Sequence, residues 1–324
     1  MTASPVPDLA EVFAARQRIA PYLRPTPLYR YPTRDAMTGA RVWVKHENHQ
    51  PVGAFKVRGG VNLVSQLDAD ERRRGVIAAS TGNHGQSVGY AADLFGVPAV
   101  ICVPGQANPV KVESMRALGA EVVFYGRDFD EAREHCEEQA ARHRYRYIHS
   151  GNEPALIAGV ATYTVEILEA RPDIEVIVVP VGGGSGAAGA CVVAKAVRST
   201  VEVIGVQSEA APAAYRSWRT GTLVQDTTST FAEGLATRTA FELPQRILRE
   251  RLDDFVLVSE EALKTATRLM IEKTRNLVEP AGAAALAAVL DAPQRFTGRE
   301  VAIICSGGNI SPAQLAGLWP HEPG

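Results

Sequence analysis

Apolar runs that end in polar, glycine-bearing turns constrain this chain most. "GVIAAS" (75–80) leads into "TGNHG", "EVIVVPV" (175–181) into "GGGSG", and "EVAIICS" (300–306) into "GGN". "PAVICVP" (98–104), "AEVVFYG" (120–126), "VEVIGVQ" (201–207) and "DDFVLVS" (253–259) supply further apolar runs. Unbroken Val/Ile runs separated by helical stretches are parallel strands buried on both faces. The predicted helices follow the first turn to about Leu94, run from Pro109 to about Leu118, and cover 128–142, 186–198, 212–219, 244–250 and 260–274. The fold class is therefore α/β with doubly wound parallel sheets. The units at 75–142 read as one sheet and those from 175 onward as a larger second one. The boundary falls near 150, where "HSGNEP" signals a turn. In such folds ligands bind beyond the carboxyl ends of the strands, so the turns hold the chemistry.

The chain has 324 residues, enough for about two domains of roughly 150 residues each. Charges are interspersed and sum to −2, which argues against nucleic acid as a partner. No apolar run reaches the roughly 18 residues of a membrane span. The start, "MTASPVPDLAEVFAARQRIAPYL", has no apolar core and is not read as a signal peptide. Cys102, Cys136, Cys191 and Cys305 have neither zinc-type nor disulfide-type spacing. The expectation is a reduced, cytoplasmic protein, with no metal site.

"VPVGGGSGAAG" (179–189) is a strand, a glycine turn and a helix start. Such a turn lets backbone N–H groups converge on a phosphate. Gly184, Gly186 and Gly189 also satisfy G-x-G-x-x-G, with Glu209 after the next strand, so a dinucleotide site and an NAD(P)-dependent oxidoreductase stay open. The bland alternative is a tight strand-to-helix turn. In "ASTGNHGQS" (79–87), Ser80, Thr81, Asn83 and His84 suit a carboxylate ligand, while a helix cap is the plainer reading. "IICSGGN" (303–309) is a third such turn.

Lys56 stands in "PVGAFKVRGG", between Phe55 and Val57 with glycines on either side. A snorkelling lysine is the ordinary case, and Arg58 reads as a surface charge. A lysine framed to approach a bound molecule, together with a phosphate cradle, points instead to pyridoxal phosphate. That cofactor carries both a phosphate and an aldehyde that forms a Schiff base with lysine.

"GAFKVRGG", "STGNHGQS", "VGGGSGAAG", "VEPAGA" and "CSGGN", in this order and spacing, resemble the threonine/serine dehydratase and serine racemase family. These are fold-type II pyridoxal-phosphate enzymes of tryptophan synthase β-like fold. The resemblance runs from "RPTPL" (24–28) to "SGGNIS" (306–311) and suggests the short form without a regulatory domain. It implies two doubly wound domains with the cofactor in the cleft between them: 1–74 plus 151–324 as the large one, 75–150 as the small one inserted in it. It implies that Lys56 holds the cofactor and exchanges the Cα proton. Phe55 would pack on the pyridine ring, and Asn83 would bond its phenolic oxygen. Gly182, Gly183, Gly184, Ser185 and Gly186 would hold the phosphate. Ser306 would face the pyridine nitrogen. Ser80, Thr81 and His84 would hold the substrate carboxylate, and the cofactor phosphate would protonate the departing hydroxyl. The implied activity is β-elimination of water from L-threonine or L-serine, giving a 2-oxo acid and ammonia. A homodimer or homotetramer is the implied assembly.

The chain departs from the family pattern at Ala54, often serine, and at Ser185, often glycine. Gln207 and Ala213 stand where metal-activated members carry acids, although Glu209 is near. Racemase members place a serine at the Thr81 position, so a threonine hydroxyl there keeps amino-acid racemisation as an alternative. Arg133 aligns with a carboxylate partner of racemase members but lies in a charged helix, where solvation is the simpler reading.

Overall fold

A computed structural model describes residues 4–319; the first three and last five residues, included in the expected domains, lie outside the described residues. The chain folds as two compact units. Of the described residues, the first takes 4–24 and Gln50–Thr162; the second takes Pro25–His49 and 163–319.

The second unit carries a six-stranded sheet. Its strands are β1 (Leu28–Arg30), β2 (Arg41–His46), β7 (Val176–Pro180), β8 (Glu202–Ser208), β9 (Asp254–Val258) and β10 (Glu300–Cys305), in the order β1-β2-β10-β7-β8-β9. β1 runs antiparallel to β2, and every other pairing is parallel. The helix Pro280–Asp291 is alanine-rich and buried along most of its length, and with Val176, Val178, Val301 and Ile303 it forms the core. The first unit holds a parallel sheet of β3 (Val76–Ala79), β4 (Ala99–Val103), β5 (Glu121–Phe124) and β6 (Arg146–Tyr147), in the order β5-β4-β3-β6. β3, β4, β5, β7, β8, β9 and β10 and the helices predicted between them lie within a few residues of the sequence-based ranges, whereas β2 and β6 were not predicted.

The packing groups residues 50–74 with the 75–150 segment, unlike the expected division. The helix Lys56–Val64 lies directly on the helix Asn83–Leu94: a Cβ on Gly60 would come within 2.7 Å of the Ser87 carbonyl. A Cβ on Gly59 would meet the Leu156 side chain at 2.7 Å. Those two glycines therefore serve helix packing, not access for a ligand. Arg58 is not a surface charge: it is 1 % exposed and donates to Thr162 Oγ1 at 3.1 Å. All four cysteines are buried free thiols, with Cys102 of β4 and Cys136 in one small cluster on a face of the four-stranded sheet. Among the described residues, no helix is long and apolar enough to cross a membrane.

Candidate active site

In the first unit Lys56 opens a helix. The preceding chain turns tightly, Gly53 N–H bonding the Gln50 carbonyl at 2.7 Å with φ +67°. Lys56 Nζ donates to the Ser150 carbonyl at 2.8 Å and stands 5.5 Å from the Phe55 ring centre. The side chain retains some exposed surface, yet loss of hydration around the amine lowers its pKa to about 8. Ser87 Oγ donates to the Lys56 carbonyl at 2.7 Å and so pins the start of the helix.

The "STGNHG" turn lies between β3 and the helix Asn83–Leu94. Ser80 is buried, and its Oγ accepts from Gly82 N–H at 3.0 Å and Gly85 N–H at 2.8 Å. Ser80 thus shapes the turn, the capping role that the sequence also allowed. Thr81 and Asn83 stay partly exposed. His84 is buried, with Nε2 3.0 Å from the Ile148 carbonyl. A carbonyl can only accept, so Nε2 carries the proton and Nδ1 is a lone pair. Nδ1 is buried and has no partner among the described residues. Burial first, then the charge of Lys56, lowers the His84 pKa to about 3, so the ring is neutral. Sequence reasoning missed Lys111. It is 5 % exposed, and a Cβ on Gly82 would lie 2.8 Å from its Cδ and 3.2 Å from its Nζ. Nothing in "NPVKVES" distinguishes that lysine from a surface one. Arg133 is tied to acids, with Glu137 at 2.7 Å and Asp130 at 3.8 Å.

In the second unit the glycine turn after β7 is sealed from behind. A Cβ on Gly182 would strike the Gly234 carbonyl, one on Gly183 the Phe241 ring, and one on Gly184 the Pro244 Cβ at 2.9 Å. Gly184 also adopts φ +91°, a left-handed conformation open to glycine at little cost. The helix Ser185–Val197 follows and receives no side-chain cap. Its first-turn N–H groups lack intrahelical acceptors and suit an anion. Tyr163, fully buried, donates its OH to the Gly186 carbonyl at 2.8 Å and holds that turn. Ser306 is 7 % exposed and directly follows β10. The next residues rest on the start of the helix Pro280–Asp291, Glu279 N–H bonding the Gly307 carbonyl at 3.2 Å. Gln207, in the segment where metal-activated members carry acids, is fully buried and accepts from Tyr215 N–H at 3.0 Å. Among the described residues, no cluster of His, Cys, Asp and Glu could hold a metal ion.

The family profile described as pyridoxal-phosphate dependent enzyme matches residues 19–307. The chain belongs to the pyridoxal-phosphate-dependent enzymes of the threonine/serine dehydratase and serine racemase family, fold-type II. It is 40 % identical over 275 residues to an L-threonine ammonia-lyase of Thermotoga maritima, covering 85 % of this chain and 68 % of that one. It is 35 % identical over 309 residues to an L-threo-3-hydroxyaspartate ammonia-lyase of a Pseudomonas species, covering 95 % and 97 %. Maize serine racemase superposes with a TM-score of 0.92 at 31 % identity, covering 97 % of both chains. Family membership sets aside the nicotinamide reading of Gly184, Gly186 and Gly189. The residues fit the cofactor: an amine of lowered pKa suits an aldehyde, and a side-chain-free turn ahead of an uncapped helix suits a phosphate.

Proposed function

We propose that this chain is a threonine/serine ammonia-lyase, which removes water from a β-hydroxy amino acid and yields one 2-oxo acid and one ammonia. The observation that carries the reading is the Lys56 amine, desolvated to a pKa of about 8 beside the "STGNHG" turn, in a pyridoxal-phosphate family. Bound pyridoxal phosphate supplies an aldehyde that condenses with amines and a ring that draws electrons from Cα.

In this proposal Lys56 and the glycine turn serve one cofactor. Lys56 would hold the aldehyde carbon, and the N–H groups of Gly182, Gly183, Gly184, Ser185 and Gly186 would hold the phosphate. Phe55 would pack on the ring, Asn83 would bond the phenolic oxygen, and Ser306 would face the pyridine nitrogen as a neutral partner. The base for the Cα proton would be Lys56 Nζ. With a pKa of about 8, roughly a tenth of it is the neutral amine at pH 7. The turn shaped by Ser80 presents N–H groups and the Thr81 hydroxyl to the substrate carboxylate. Lys111, lying along Gly82, adds positive charge there. His84 Nδ1 can only accept, so it would take a hydrogen bond from a donor group of the substrate and not hold a carboxylate oxygen.

Homodimer or homotetramer assembly, a cytoplasmic location and a place in amino-acid metabolism belong to the same proposal. Borohydride treatment of the yellow protein tests it, together with 2-oxo acid release from L-threonine, L-serine and L-threo-3-hydroxyaspartate. Label on Lys56 and 2-oxo acid from at least one substrate are expected; label elsewhere, or no 2-oxo acid, sinks it. Racemisation is the second reading, favoured by the partly exposed Thr81 hydroxyl and the likeness to maize serine racemase. D-serine formed from L-serine faster than pyruvate appears would favour it.

A further inference from the structure

β6 and the turn after it have received no role above, yet two of their carbonyls meet the basic side chains of the first unit. Ile148 O lies 3.0 Å from His84 Nε2, and Ser150 O lies 2.8 Å from Lys56 Nζ. His149 stands between those two carbonyls in the chain. Its Nδ1 accepts from the backbone N–H groups of Gly151 and Asn152, each at 3.0 Å. Only a lone pair can accept, so the ring is neutral with its proton on Nε2; Asn152 Nδ2, 3.4 Å from Nε2, is itself a donor and cannot accept that proton. Burial first, then the cations Arg133 and Lys56, lowers the His149 pKa to about 4 and favours that neutral form. The ends of the turn are clasped by Arg146 and Glu153, joined by two bonds of 2.8 Å.

We infer that His149 is a positioning residue for Lys56. It gathers the N–H groups of Gly151 and Asn152 onto one ring nitrogen and fixes the turn so that the Ser150 carbonyl points at Nζ. A lysine has a flexible four-carbon stem and rotatable donors. A fixed carbonyl gives the freed amine one resting place from which to exchange a proton. Without the acceptor at 149 the turn relaxes and Nζ loses its register, and a misplacement of about 1 Å can cost roughly a hundredfold in rate. The inference rests on the reading that Lys56 joins the cofactor.

Two variants of the holoenzyme separate the acceptor from the bulk of the ring. His149→Asn keeps an oxygen close to the position of Nδ1, and His149→Leu keeps volume without an acceptor. His149→Leu is expected to lower kcat by between about tenfold and a hundredfold, with KM within about threefold, and to speed amide exchange at Gly151 and Asn152. His149→Asn is expected to stay near wild type in all three. Equal damage in both variants would overturn the inference, as would wild-type kcat and exchange in His149→Leu. If His149→Leu does not fold, amide exchange of the wild type decides: unprotected Gly151 and Asn152 amides overturn it, and slow exchange kept in His149→Asn supports it. Borohydride label away from Lys56 would sink the cofactor reading while leaving the exchange result to judge the turn.

Discussion

The two units bring opposite materials to their strand-end turns. The first surrounds its turn with ionisable side chains held out of water: Lys56 at a pKa of about 8, His84 at about 3 and His149 at about 4. The second has almost no side chain at its turn. Gly182, Gly183 and Gly184 are bare backbone backed by Gly234, Phe241 and Pro244. A proton-transfer group must have its hydration stripped to tune its basicity, and that requires a side chain in an enclosed place. An anion needs several fixed N–H donors at close range, and here a Cβ would push the turn off its backing and displace them.

The comparison breaks most sharply at Lys56. Replacing it with alanine should abolish the Schiff-base absorption band and cut elimination by at least about a thousandfold, since nucleophile and base vanish together; steady-state rates and the visible spectrum check this. Gly183→Ala attacks the other side. Its new methyl meets the Phe241 ring, and overpacking costs roughly 1–3 kcal/mol. If the turn shifts to relieve it, pyridoxal-phosphate affinity should fall by about tenfold to a hundredfold, with the absorption maximum of the bound cofactor unchanged. An affinity equal to wild type although the turn has shifted would show that the second turn does not hold the phosphate.

Acidity sharpens the contrast. Because burial lowers the Lys56 pKa to about 8, the neutral amine accumulates as pH rises toward that value. The rate at which the apoprotein takes up pyridoxal phosphate should then rise about tenfold per pH unit well below 8 and level off above it. Stopped-flow absorbance measures this; a flat profile between pH 6 and 8 contradicts the desolvated amine. The smallest effect on elimination is expected from Thr81→Ala. Any D-amino acid formation should disappear while 2-oxo acid release stays within about threefold, as read by chiral chromatography beside a ketoacid assay. Parallel loss of both would deny Thr81 a separate proton-relay role.

Much of this was legible because it is local. Val/Ile runs and the turns after them are short-range signals, and they located β3, β4, β5, β7, β8, β9 and β10. The helices Pro154–Ala170 and Pro280–Asp291 escaped, because "PALIAGVATYTVEILEA" and "PAGAAALAAVLD" are apolar on nearly every face and show no period. The helix at Lys56 escaped because the flanking glycines read as a frame for a bound molecule, while Leu156 and Ser87, which require Gly59 and Gly60, are remote in sequence. Arg58 read as a surface charge for the same reason: its Thr162 partner is a hundred residues away. The assignment of 25–49 to the second unit depends on β2 pairing with β10, a hydrogen-bond ladder that no local pattern encodes.

The order of residue types along the chain was enough to determine the α/β class and the enzyme family, and to single out the glycine turn and Lys56 as candidates. Each motif depends on neighbours a few positions apart, and the family on their order. Only the folded structure decided which ring nitrogen of His84 bears the proton, that Lys56 meets the Ser150 carbonyl, and that His149 gathers the turn beside it. Those features depend on burial and on hydrogen bonds between distant segments, and both come into being when the chain packs.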